Sequence, residues 1–90
     1  MMFVLNKCYG GFSFSEEACD ILGLESPYEE VDRVDSRAVA VVLLLGARAN
    51  GFCADLRVVE IPDEATDWRI DEYDGFESVV YVVDGKLHWA

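Results

Sequence analysis

AVAVVLLL, residues 38–45, is the longest apolar run in the chain, and its reading decides the fold. It lies between Asp35-Ser36 and Asn50-Gly51. Aspartate and serine favour helix N-caps and an Asn-Gly pair is a left-handed stop signal, so the segment reads as one buried helix of about 14 residues. A buried strand competes, because valine favours strands, but the length and the caps favour the helix. On a helical wheel Ala38, Val41, Val42, Leu45 and Ala49 share one face. Ala40, Leu43, Leu44 and Ala47 fall on the flank and reverse, where a surface helix should carry charge. A 90-residue chain rarely covers a helix on every side, so a second copy is the economical cover. Ala40, Leu43, Leu44 and Ala47 are therefore the expected homo-oligomer interface. Moving two leucines from water into such a contact contributes about 3–6 kcal/mol per subunit before association costs.

Working upstream, residues 24–34, LESPYEEVDRV, form a polar connector. Before it, Ser13 or Ser15 opens a short helix running to about Leu22, with Ala18, Ile21 and Leu22 toward the core and Gly23 as its left-handed stop. Residues 6–14, NKCYGGFSF, turn the chain at Gly10-Gly11. Tyr9 and Phe12 there read either as a ligand platform or, with Phe14, as core, the ordinary use of large aromatics. Residues 2–6 read as a strand. Downstream, residues 56–62 are a strand stopped by Pro62, and residues 68–73 alternate as a second. Asp74-Gly75 and Asp84-Gly85 are turn signals on either side of ESVVYVV, so residues 77–83 and 86–89 should form a hairpin. The expected fold is α+β, a single domain over residues 1–90. Two helices would pack on one face of a small, largely antiparallel sheet of about four to five strands.

Composition narrows function. Hydrophobic residues make up 52% of the chain and charged residues 28%, which puts it in the globular rather than the disordered class. A formal charge of -11 repels duplex nucleic acid. The longest apolar run is far short of the roughly 20 residues of a membrane span, and no targeting segment is visible. Cys8, Cys19 and Cys53 contain no C-x-x-C pair and fit reduced thiols of a cytoplasmic protein.

No constellation here specifies a reaction. The carboxylates Asp63, Glu64, Asp67, Asp71, Glu72, Asp74 and Glu77 do not have EF-hand spacing and read as a solvated surface, so no metal or cofactor is assigned. His88, the only histidine, could serve a small hydrolase only if the fold brought it to a cysteine, just as a carboxylate pair would have to be assembled in space. Arg48 and Arg57 are sparse cations that could meet a small anion, or could satisfy helix carbonyls and a carboxylate. Tyr9, Phe12, Arg48 and Arg57 are thus the ligand candidates.

Three segments taken together, NKCYGGFSFSEEA at 6–18, LGARANG at 45–51 with ADLRVVEIPD at 54–63, and WRIDEYDGFE at 68–77, resemble a largely uncharacterised family of small phage and bacterial-host proteins. The phage anti-Thoeris sponge proteins are similar to that family. The resemblance implies a non-enzymatic protein of the bacterial host cytoplasm. In the sponge proteins it implies an oligomer that sequesters cyclic nucleotide immune signals such as cyclic ADP-ribose isomers. This chain departs from the pattern in a shorter connector at 24–34, in its tail after Glu77, and in carrying Leu43, Leu44 and Ala47 where the family tends to be acidic. No binding residue transfers by motif. The leading expectation is a homo-oligomeric interaction or small-ligand module; the nucleotide sponge is the alternative.

Overall fold

The computed structural model describes residues 1–90 and arranges them as two helices and five antiparallel strands, an α+β fold. In chain order they are β1 (Met2–Asn6), α1 (Glu16–Leu22), α2 (Ser36–Leu45) with a 3-10 turn (Gly46–Ala49), β2 (Leu56–Glu60), β3 (Asp67–Tyr73), β4 (Phe76–Val83) and β5 (Lys86–Trp89). The strands divide into two sheets, β1–β2 and β3–β4–β5.

β1 lies in the middle of a three-layer stack. Its Val4 joins Leu56, Phe14 and the inner faces of α1 and α2 in one core cluster, while Phe3 and Leu5 join Ile61 and Val79 in a second. Phe3, Val4 and Leu5 are fully buried. A strand buried on both faces reads as a continuous apolar run, and FVL is that run. The helices touch β1 and β2 only, so they occupy one face of the two-stranded sheet, and β4 packs across the other.

Caps set the helix boundaries. Ser15 Oγ accepts from the Ala18 amide at 3.1 Å, and Gly23 closes α1 at φ 72° with its amide on the Cys19 carbonyl. The helix is only seven residues long, so its inward stripe is Ala18, Cys19 and Leu22; Ile21, expected inside, is 52% exposed. In α2 the Asp35 carboxylate accepts from the Arg37 amide at 2.8 Å. The α-helix ends at Leu45 rather than near Asn50, because Gly46 takes φ 58° and ψ -130° and the chain continues as the 3-10 turn. The wheel survives that break: Ala38, Val41, Val42, Leu45 and Ala49 are all buried.

The register Met2↔Glu60 to Asn6↔Leu56 is extended by the Ile61 amide on the Met1 carbonyl and the Lys7 amide on the Asp55 carbonyl. Alternation then directs the amides of Arg57, Val59 and Ile61 into the ladder and those of Leu56, Val58 and Glu60 away from it. On the far side of β1, Val4 N–H donates to the Arg33 carbonyl at 2.8 Å and Asn6 N–H to Glu77 Oε1 at 3.0 Å. Both hairpin turns have positive φ at each central residue, as two-residue Asp-Gly loops require: 54° and 91° at Asp74-Gly75, 52° and 75° at Asp84-Gly85.

Candidate interaction surface

The inward stripe of α2 faces the sheet, which leaves its back to solvent. Leu43 is 63% and Leu44 75% exposed, with Ala40 and Ala47 exposed beside them. Ile21 of α1 continues the apolar area. Two grooves flank this ridge. One, of ≈ 260 Å³, runs between α1 and α2 along Ile21, Leu22, Ala40, Val41 and Leu44, with Arg37 at its rim. The other, of ≈ 250 Å³, runs between α2 and β2 and is lined by Leu43, Gly46, Ala47, Arg57 and Val58 among others. Two residues nominated for the interface and one nominated for a ligand therefore share a groove.

The other ligand candidates are dispersed. Tyr9 is 68% exposed and lies on Phe76, ring centroids 5.3 Å apart. Phe12 is half-buried against Phe14, and its face is covered by the Arg33 guanidinium at 3.7 Å. Arg48 is engaged by Glu17, whose carboxylate bonds both its Nε and Nη2, and not by helix carbonyls. Arg57 is held by Asp55 in the same two-pronged way, at 3.0 and 3.2 Å. The hydrogen bond to Arg48 draws the Glu17 pKa down; reciprocally, both arginines are raised, each first by its carboxylate hydrogen bond. Each arginine thus already has a carboxylate partner, while both guanidiniums stay largely exposed.

The polar centre that sequence reading did not anticipate is built from Asn6, Arg33 and Glu77. Glu77 is 6% exposed, unlike its exposed acidic neighbours Glu72 and Asp74. Its Oε1 accepts from Asn6 N–H and Arg33 Nε, and its Oε2 from Arg33 Nη2 at 2.8 Å. The Asn6 side chain donates to the Cys8 and Gly75 carbonyls and accepts from the Asp55 amide. These contacts tie β1, the connector, β4 and the loop before β2 into one knot. Nearby, Lys7 Nζ reaches the Ala90 carbonyl at 3.2 Å and sits 5.1 Å from the Phe76 ring; burial lowers its pKa, partly offset by the Glu77 charge. The knot is internally satisfied, which suits a structural fastening rather than a site awaiting a ligand.

The remaining chemistry does not converge. His88 stacks on Tyr81 at 5.3 Å, with no hydrogen bond to a thiol or carboxylate. The three cysteines are free thiols, and burial raises the pKa of Cys19. No group of three or more His, Cys, Asp or Glu side chains is placed to hold a metal ion. No helix is long and apolar enough to cross a membrane. No known family model matches the chain, and neither a curated protein nor a solved structure is found similar to it.

Proposed function

We propose that this chain is a non-enzymatic interaction module of phage type that works as a homo-oligomer, with the outer face of α2 as its contact surface. The observation that carries the reading is the pair Leu43 and Leu44, adjacent on one helix and 63% and 75% exposed. Single exposed leucines are ordinary on a protein surface; a ridge of two, extended by Ile21, Ala40 and Ala47 and flanked by grooves, is the pattern of an interface. The phage setting rests on the resemblance of residues 6–18, 45–51, 54–63 and 68–77.

Light scattering across a concentration series tests this. The wild type is expected above the 10.1 kDa chain mass and the Leu43→Glu/Leu44→Glu variant at that mass, with unchanged far-UV circular dichroism. A wild type that stays at 10.1 kDa up to high micromolar concentration defeats the reading.

The cyclic-nucleotide alternative has less support, since Arg48 and Arg57 are engaged by carboxylates and only Tyr9 among the four candidates presents an open aromatic face. Its test is thermal: a ligand at one hundred times its Kd stabilises by about 2.7 kcal/mol. A melting temperature unmoved by cyclic ADP-ribose isomers in large excess removes it.

A further inference from the structure

We infer that β2 is the seam of a two-fold dimer, its open edge pairing antiparallel with the β2 edge of a second copy about Val58. This rests on the self-association proposed above and adds where and how the two copies meet.

The first argument is the hydrogen-bonding capacity of β2. Its only strand neighbour is β1, and no element covers its other edge. The outward groups of β1 are met by the Arg33 carbonyl and the Glu77 carboxylate, whereas those of Val58 and Glu60 face no partner within the chain. The open stretch has defined ends. Asn50 Oδ1 takes the Leu56 amide at 2.7 Å, and Pro62 beyond the strand has no amide to offer.

The second argument is self-complementarity. A two-fold axis at Val58 sets Val58 opposite its own copy and Leu56 opposite Glu60. Val58 N–H then donates to the partner's Val58 carbonyl, Glu60 N–H donates to the partner's Leu56 carbonyl, and symmetry doubles both bonds. Every group used already points outward. Axes on Arg57 or Val59 would also use outward amides. The first opposes two arginines and needs the Leu56 amide already held by Asn50 Oδ1, and the second sets the two Glu60 carboxylates diagonally across the seam, so the Val58 register is favoured.

The third argument chooses a second copy over a foreign strand. The open edge and the α2 flank line the same groove, through Val58 and Arg57 below and Leu43, Gly46 and Ala47 above. A lone extended peptide would satisfy the edge and leave the helix flank in water. A second copy brings its own α2 alongside, covers Leu43, and can approach closely because Gly46 and Ala47 are small. It also converts a two-stranded sheet of five-residue strands, marginal by itself, into a four-stranded one.

Amide hydrogen exchange and Val58→Pro together test the seam. In an isolated chain the amides of β2 should alternate, Arg57 and Val59 slow and Val58 and Glu60 fast. In the proposed dimer all four are slow, and diluting the protein restores the alternation. Proline at 58 deletes an outward donor without touching the β1 ladder, so the folded variant should scatter at 10.1 kDa while the wild type scatters at twice that mass. The wild-type exchange pattern stands even if V58P fails to fold. A dimeric wild type whose Val58 and Glu60 amides exchange freely, or a folded V58P that remains dimeric, overturns the β2 seam and leaves self-association through another part of α2 intact. A wild type monomeric throughout overturns both.

Discussion

Glu77 and Arg57 illustrate how differently two ion pairs weigh in the same molecule. Glu77 is 6% exposed and supports three hydrogen bonds, two from Arg33 and one from the backbone of β1. Replacing it with alanine leaves the Arg33 guanidinium and the Asn6 amide without their acceptor. Removing one partner of a buried pair typically costs 3–5 kcal/mol, and the fifth of Arg33 that reaches water places this case near about 3 kcal/mol. In a domain of this size that should lower Tm by roughly 10–20 °C in a calorimetric scan. Arg57→Ala breaks an exposed pair with Asp55 and should leave the urea midpoint close to that of the wild type. Equal losses in the two variants would mean that the Asn6–Arg33–Glu77 knot does not fasten the layers. Sequence reading assigned Glu77 to a run of solvated acids. Nothing local marks it otherwise, because its partners lie 44 and 71 residues away and only the packed layers bring them together.

At the scale of elements, much of the fold was legible because it is set by neighbours in the chain. β1 runs over the expected residues, Ser15 is one of the two caps considered, and Gly23 and both Asp-Gly turns do what their chemistry suggests. Ser15→Ala removes the acceptor for the Ala18 amide as well as a donor to the Arg48 carbonyl. It should cost about 1 kcal/mol, measured as a shift of the urea midpoint with unchanged slope. A null effect would place α1 stability in its packing alone. The division of five strands into two sheets was not legible, because strand periodicity records which face is buried and not which strand lies across it. Likewise, Arg33 and the connector close the far edge of β1 through a carbonyl, and a backbone acceptor leaves no mark in the side-chain sequence. The candidate surface was half legible. The wheel found Leu43 and Leu44 on the exposed side, but the neighbouring β2 edge depends on how the strands pair.

For the whole molecule, charge and association pull in opposite directions. Each chain carries a formal -11, so two copies repel, while the proposed contact is apolar and made of backbone hydrogen bonds. Added salt should therefore tighten the dimer: the screening length falls from about 30 Å at 0.01 M to about 8 Å at 0.15 M. Sedimentation velocity at low and moderate salt should show the dimer fraction rising; a fraction that falls would point to a contact built on ion pairs. The position of β1 has a consequence in time as well. Its apolar side chains belong to two cores at once, one completed by β2 and the other by β4, yet it precedes every other element in the chain. At a synthesis rate of about 5–20 residues per second, Phe3 and Leu5 wait roughly 4–15 s for Val79 to follow them out of the ribosome. Through that interval the chain exposes the strand on which its final architecture depends.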